Sequence, residues 1–477
     1  MRPVELAIVG AGNRGREVYG RLAASWSDRV RVVAVAEPRE DRRRAMAEEH
    51  GLGAQAVFAD WRELFAARTP EAAVVATQDQ DHTGPALAAL AAGSHVLLEK
   101  PMAHRAIDCV QLARSAAEQG RVLRICHVLR HTPLFVRLKE LLDAGALGDL
   151  VTLAWRENVS FWHMAHSYVR GHWAERATSA PMLLAKCCHD LDLILWLTGR
   201  SVGRLSSVGS LSHYRPDQAP PGAPARCTDG CPVEESCPFE ARRIYVTMEP
   251  ILREMARDAP EPFRAAAQVA LRPRARAALA RLARVSPALR PLVDYHGWPR
   301  SVLTEERGDA AVLRALETGP WGRCVYACDN DVVDHQVVTM ELDGGVSATL
   351  TMHGHSHREH RSARLDGTRA SIELDFGSFR SRLRVHEHRS GHTEEITFDH
   401  PPGSGHGGGD EGLLRAFLDD VLTARGGDLP HGLDAAAALD SHLLAFAADA
   451  ARREGTVVDF PRWRAALERT ARASDPG

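Results

Sequence analysis

The chain has 477 residues, 44% of them hydrophobic and 25% charged, with a formal net charge of -3 at neutral pH. That length admits two large domains or about three smaller ones, and the composition is that of an ordinary globular protein. The near-neutral balance gives no electrostatic footprint for nucleic acid, and no run is long enough to span a bilayer, so neither partner is expected.

The opening MRPVELAIVGAG lacks the apolar core and cleavage site of a signal peptide. A cytoplasmic location is therefore expected, with the nine cysteines as thiols or metal ligands and not a disulfide framework. Val4 to Val9 reads as a strand and runs into Gly10-Ala11-Gly12-Asn13-Arg14-Gly15, a G-x-G-x-x-G turn. Arg16 to Trp26 has a helical pattern, and a β-branched strand, Val30 to Ala36, ends in Glu37. Strand, glycines, helix, strand and acid form the dinucleotide-binding fingerprint: the glycines let backbone approach a pyrophosphate, and the acid takes the ribose hydroxyls. Glu37 would repel a 2′-phosphate, so NAD is favoured over NADP, although Arg39 lies two residues on.

Glu71 to Thr77 reads as a buried strand closed by the polar run Gln78 to His82, which should lie along the nicotinamide side of a crevice. After the helix Pro85 to Gly93, the run His95-Val96-Leu97-Leu98 stops at Glu99-Lys100-Pro101. Proline holds Lys100 out of helical geometry, so its ammonium is expected extended at the sheet's rim, where it can hydrogen-bond a substrate oxygen. Strand and helix alternate through Val122 to His127, so a doubly wound parallel sheet should close near residue 130.

The GAGNRG turn, the acid after the second strand, VVAT with its polar loop containing His82, and ALAAGSHVLLEKPMA together resemble the glucose-fructose oxidoreductase, inositol dehydrogenase and rhizopine-catabolism (Gfo/Idh/MocA) family. The likeness runs nearly unbroken over the first 130 residues. It implies an N-terminal α/β Rossmann domain, residues 1–130, and a C-terminal α+β domain, residues 131–477, with a large, mostly antiparallel sheet. An insertion is expected at about 201–320. It also implies that Lys100 lies beside the nicotinamide and touches the substrate hydroxyl. The expected cofactor set is Gly10, Gly12, Asn13, Arg14, Gly15 and Glu37 on the first turns. Thr77, Gln78, His82, Glu99 and Lys100 complete it at the later strand ends.

Beyond residue 130, Pro133 to Gly145 reads as an amphipathic helix and Val151 to Arg156 as a strand. The stretch from Phe161 to Trp173 is rich in rings and hydrogen-bonding groups, as a sugar site would be; Trp162, His163, His166, Arg170 and Trp173 are its candidates, against a packed aromatic loop. Pro181 to Gly199 puts Lys186, His189 and Asp190 near one helical face. The family pattern Asp-x-Gly-x-His-x-x-Asp aligns His189 with its catalytic histidine and Asp192 with its last acid. Ala185 stands where the first acid belongs, so Lys186 or Asp190 would have to compensate. Lys100, His189 and Lys186 are the catalytic candidates, and His189 also a substrate contact.

From Ser201 to Pro320 the resemblance thins. Arg272 to Arg290 reads as a solvated alanine-arginine helix, and Cys227, Cys231 and Cys237, with Cys324 and Cys328 downstream, suit either a structural zinc site or buried and loop thiols. Asp331 to Leu342, Val346 to His353, Ser371 to Phe376 and Leu383 to Glu387 read as strands, Gly412 to Arg425 and Asp434 to Glu454 as helices. Gly403 to Asp410 is a glycine-rich turn that either carries His406 and Asp410 to the substrate or stays a surface loop. The leading expectation is an NAD-dependent oxidoreductase acting on a secondary hydroxyl of a carbohydrate or polyol such as inositol, in a homodimer or homotetramer. The rivals are an NAD-dependent glycoside hydrolase or epimerase using transient oxidation, and a non-catalytic sugar- and NAD-binding regulator.

Overall fold

The computed structural model describes residues 2–272, 274, 275, 278, 281, 295–400, 406–427 and 434–473. Six short strands, β1 (Val4–Val9), β2 (Val30–Ala36), β3 (Val57–Phe58), β4 (Ala72–Val75), β5 (His95–Leu98) and β6 (Leu123–Ile125), form one parallel sheet in the order β3-β2-β1-β4-β5-β6. Val, Leu, Ile and Ala fill β1, β4 and β5 because helices cover both faces of such a sheet. The register pairs Val9 with Ala36 and Val75, Val75 with Leu98, and Leu98 with Ile125. The strands therefore stop together, and Gly10, Glu37, Ala76, Glu99 and Cys126 stand along one rim. The order reverses between β1 and β4, the point where a doubly wound sheet opens its binding crevice.

The helix after β1 starts earlier than its apolar pattern suggests, as a π-helix over Asn13–Gly20 that continues as α-helix over Arg21–Ser25. Gly10 sits at φ 90, and a Cβ built there would lie 2.5 Å from the Ala76 carbonyl oxygen. One built on Gly15 would lie 1.8 Å from the Gly10 oxygen.

The second sheet has nine strands, β7 (Leu150–Ser160), β8 (Val202–Ser210), β9 (His335–Leu342), β10 (Val346–Ser356), β11 (His360–Gly367), β12 (Ala370–Gly377), β13 (Arg380–Glu387), β14 (Thr393–Asp399) and β15 (Val458–Asp459). Their order is β14-β13-β12-β11-β7-β10-β9-β8-β15, and only β7 with β10 runs parallel. Residues alternate along β7: Leu153, Trp155 and Glu157 are buried, Thr152, Ala154 and Arg156 exposed, as expected of a sheet with one solvated face. The helices Pro133–Asp143 and Met182–Thr198 cover the inner face.

Two boundaries differ from the sequence reading. Residues 202–210 are β8, paired with β9, so the expected insertion leaves the sheet only after Ser210. The helix Asp434–Glu454, followed by β15 and a last helix Phe460–Ala473, packs on Met182–Thr198 and β8 and also on Ala106–Glu118 and β6, bridging both sheets. Most of the alanine-arginine stretch 272–290, and residues 401–405 at the glycine-rich turn, lie outside the described residues. Among the described residues no helix is long and apolar enough to cross a membrane.

The glycine geometry gives a test. Gly15→Ala should lower stability by about 1–3 kcal/mol in urea unfolding, because its methyl meets fixed backbone. Gly12→Ala, whose nearest neighbour would be Arg42 Nη1 at 3.7 Å, should leave the midpoint unchanged.

Candidate functional site

At the adenosine end, Glu37 is buried and both its carboxylate oxygens are engaged: Oε2 accepts from the Ala11 N–H at 2.8 Å and Oε1 from the Arg39 N–H at 3.0 Å. The acid is thereby aimed at the glycine turn. The close backbone approach at Gly10 and Gly15, the open space at Gly12 and this carboxylate fit a bound dinucleotide: they supply a flat approach for pyrophosphate and an acceptor for ribose hydroxyls. The Thr77 hydroxyl caps the loop after β4 by donating to the Asp81 carbonyl at 3.1 Å.

Where β5 ends, Glu99 is buried and its carboxylate accepts from Arg14 Nε at 2.5 Å, the Tyr19 hydroxyl at 2.9 Å and the Lys100 N–H at 3.1 Å. Burial would raise its pKa, but the Arg14 guanidinium beside it holds it below the ordinary carboxylate range. Arg14 Nη2 also donates to Asp410 Oδ1 at 2.7 Å. The side chains of Arg14 and Glu99, expected to contact cofactor, are instead tied to each other and to the C-terminal half.

The segment beyond Lys100 is clamped twice. His82, also expected to touch cofactor, is 1% exposed and donates from Nδ1 to the Pro101 carbonyl at 2.7 Å. His442 Nε2 accepts from the Met102 N–H at 2.8 Å while its Nδ1–H donates to the Ala438 carbonyl at 2.7 Å, which fixes a neutral tautomer. Burial pushes the His442 pKa down to about 3.

His189 lies on the buried side of the helix Met182–Thr198, and its Nδ1 has no hydrogen-bond partner. Its ring meets His127 edge-on at 5.5 Å and lies 6.3 Å from His406. Burial first, then the charges of Lys100, His127, Arg361 and His406, drive its pKa well below the ordinary value, so the imidazole is neutral. Lys100 and His189 thus act on one another electrostatically, across an interval of sequence that no periodicity connects.

The other polar groups of that helix serve different ends. Asp192 accepts from Arg130 Nε at 2.7 Å and faces His127 Nε2 at 3.5 Å. Asp190 accepts from the Trp155 indole at 2.7 Å and Arg361 Nε at 2.9 Å. Lys186 pairs with Glu359 at 2.5 Å and Glu157 at 3.2 Å, and although burial works against its charge, these two carboxylates raise its pKa. An ammonium so held cannot stand in for the acid missing at Ala185; Lys186 fixes Glu359, which in turn meets His163 Nδ1 at 3.1 Å.

The aromatic stretch divides. Trp162 and His163 face Trp298, a half-exposed residue of the expected insertion, with ring centres 5.1 Å from each; the Trp162 indole N–H has no partner. Trp173 donates to Asp79 Oδ2 at 2.7 Å and so reaches the loop after β4. His166 and Arg170, expected as substrate contacts, are buried, although the His166 ring also meets Trp298 edge-on at 5.3 Å. His166 shares a hydrogen bond with the Tyr245 hydroxyl at 3.0 Å. Arg170 donates to the carbonyls of Arg323 and Phe239 at 2.7 and 2.8 Å and touches Cys227 Sγ at 3.4 Å. Cys227, Cys231, Cys237 and Cys324 line one small apolar recess beside Arg170, but among the described residues no three His, Cys, Asp or Glu side chains are grouped so that they could hold a metal ion. The zinc alternative therefore has no support.

Sequence reasoning missed His127, Glu359, Trp298 and His442. A lone histidine on the alanine-rich face of Asp434–Glu454 was the available signal for the last. His406 and Asp410, left open between site and surface, are brought to His189 and Arg14.

Comparison with known proteins bears on this geometry. The family described as "Oxidoreductase family, NAD-binding Rossmann fold" matches residues 4–127, and the GFO/IDH/MocA C-terminal domain matches residues 135–230. Inositol 2-dehydrogenase 1 of Saccharopolyspora erythraea is 32% identical over 215 residues, 44% of this chain and 59% of that protein. Inositol 2-dehydrogenase of Streptomyces avermitilis is 31% identical over 220 residues, 46% and 59% of the two chains. The match thus spans about three-fifths of these relatives' length. An aldose-aldose oxidoreductase from Caulobacter crescentus complexed with glycerol shares the fold at a TM-score of 0.60 and 15% identity, covering 96% of this chain and 100% of that one. An oxidoreductase from Agrobacterium radiobacter in complex with NAD+, L-tartaric acid and magnesium does so at 0.61 and 14%, covering 96% and 99%.

Two outcomes follow from the histidines. His442→Leu leaves the Met102 N–H unsatisfied and should cost about 1–3 kcal/mol in urea unfolding, with His442→Gln recovering most of it. Burial pushes His95, His166 and His442 down to about 4, 3 and 3. Below their ordinary value of 6.5 the unfolded chain binds protons that the folded chain refuses. The unfolding midpoint should therefore fall steadily as pH drops from about 6.5 towards 4.

Proposed function

Because this chain belongs to the Gfo/Idh/MocA oxidoreductase family, we propose that it oxidises or reduces a secondary alcohol of a polyol or sugar, with NAD as cofactor. The observation that carries the proposal is a buried His189, kept neutral by burial and next by the influence of Lys100, which stands at the end of β5. NAD, when bound, supplies the hydride acceptor at the substrate carbon. Gly10, Gly12 and Gly15 admit its pyrophosphate, and Glu37 takes the ribose hydroxyls, which favours NAD over NADP. The Lys100 ammonium donates a hydrogen bond to the substrate oxygen and steadies negative charge there. A ring nitrogen of His189 accepts the hydroxyl proton, a role its depressed pKa permits because the ring arrives unprotonated. Arg14, Glu99, His82 and His442 are positioning residues for Lys100. Trp162, His163 and Trp173 supply ring faces and hydrogen-bonding groups to a polyhydroxylated substrate. A homodimer or homotetramer is part of the same reading.

One observation favours a second reading. Trp298 extends the Trp162 and His163 wall outward, which suits the leaving group of a glycoside cleaved through transient oxidation. The two readings part cleanly. Given NAD and a panel of inositols and sugars, the purified chain should accumulate reduced cofactor. Silence on the whole panel, combined with release of an aryl aglycone that needs catalytic NAD and carries solvent deuterium into the sugar, would replace net oxidation with the transient cycle. His189→Asn should lower kcat about a hundredfold to ten-thousandfold while NADH binding stays within about twofold.

A further inference from the structure

The segment that follows β2, Glu37-Pro38-Arg39-Glu40-Asp41-Arg42-Arg43, carries two contradictory instructions. Glu37 suits a free ribose diol. Arg39 and Arg42 are what a 2′-phosphate would require, since guanidinium groups bind phosphate in a forked geometry. Arg42 is well placed for this: its Nη1 lies 3.7 Å from where a Cβ on Gly12 would be, at the mouth of the nucleotide turn. Arg39 stands over the Glu37 carboxylate through its own N–H. Arg43 is spoken for, donating to the Pro38 carbonyl at 2.7 Å.

The contradiction is resolved from far along the chain. Glu305, between the short helix Arg300–Leu303 and the helix Asp309–Thr318, forms an ion pair with Arg39 Nη2 and lies 4.0 Å from Arg42 Nη2. Arg39 is also paired with Asp41 at 2.8 Å. The segment between β8 and β9 thus reaches the adenosine end of the crevice and sets a carboxylate between the two guanidinium groups. We propose that Glu305 is a specificity residue that rejects a 2′-phosphorylated dinucleotide by occupying Arg39 and Arg42, leaving the 2′-hydroxyl form as ligand. This rests on the dinucleotide reading above and goes beyond it, because it assigns the choice between NAD and NADP to a residue outside the nucleotide-binding sheet.

The pair is exposed, so its own contribution to stability is small. Its effect on a ligand is larger: a 2′-phosphate brings nearly two negative charges to a place that already holds Glu37 and Glu305, and it must displace the second to reach either arginine. Like charges a few ångströms apart in a watery setting change affinity by about tenfold.

The test uses the full chain and fluorescence titration with NADH and NADPH, which reads binding without turnover. Glu305→Gln should tighten NADPH about tenfold and move NADH by less than about twofold, and adding Arg39→Ala should abolish the gain. If NADPH affinity is unchanged in Glu305→Gln while NADH still binds, or if both dinucleotides gain equally, the assignment is overturned and the cofactor reading survives. If the unaltered chain binds neither dinucleotide, both are overturned together.

Discussion

The Arg14–Glu99 ion pair is the contact on which the candidate site hangs. Arg14 belongs to the start of the helix after β1, Glu99 to the end of β5, and Asp410, held by the same guanidinium, to a helix nearly at the other end of the chain. Tyr19 closes the knot with its hydroxyl. Removing one partner of a buried ion pair costs about 3–5 kcal/mol, because the other charge is stranded. That penalty holds three distant stretches in one arrangement, and Lys100, the next residue along from Glu99, is fixed as a result. His82 and His442 then grip the two residues that follow it. The lysine needs no rigid partner of its own because everything around it is rigid.

The same economy explains the histidines. A histidine buried beside cations loses its proton, and His189 is buried with Lys100, His127, Arg361 and His406 around it. Its neutrality follows from where the helix Met182–Thr198 is held, on the second sheet and beside the segment that follows β6. The helix Asp434–Glu454 presses it there, packing on that helix and on the first sheet at once. The proton-accepting property of one ring therefore depends on a C-terminal helix that touches neither dinucleotide nor substrate in the reading adopted above.

Much of the fold was legible in the sequence because its strands are either buried on both faces or cleanly alternating. β1, β2 and β5 announce themselves by mostly apolar runs, and the glycine turn and Glu-Lys-Pro mark their ends. β11 and β14 escaped notice because HRSARLDG and TEEITFD carry few apolar residues; one face of each is solvated and pairing supplies the rest. β8 lies at the start of the stretch where the resemblance thins, and its VGRLSSVGS has few apolar residues to mark it. At the candidate site, Lys100 and His189 stand out as candidates in the sequence, but what surrounds them does not. Lys186 looked free because nothing in its own helix pairs with it; its partners, Glu157 and Glu359, lie on or beside the second sheet. His166 and Arg170 lie in the same aromatic stretch, and their polar ends are taken up by Tyr245, Phe239 and Arg323, none of them near in sequence. The cysteines stayed open between ligands and plain thiols because spacing says nothing of direction.

The parallel pairing of β7 with β10 carries a consequence of its own. Two neighbouring strands that point the same way must be joined by a connection that travels back the full length of the sheet. Here that return trip includes the aromatic stretch, the helix bearing His189, β8 and β9, and the long excursion between the last two. Because the journey is obligatory, lengthening it disturbs no strand alignment. Evolution is free to remodel what reaches over the crevice, tryptophan and carboxylate alike, while the ladder beneath keeps its rungs.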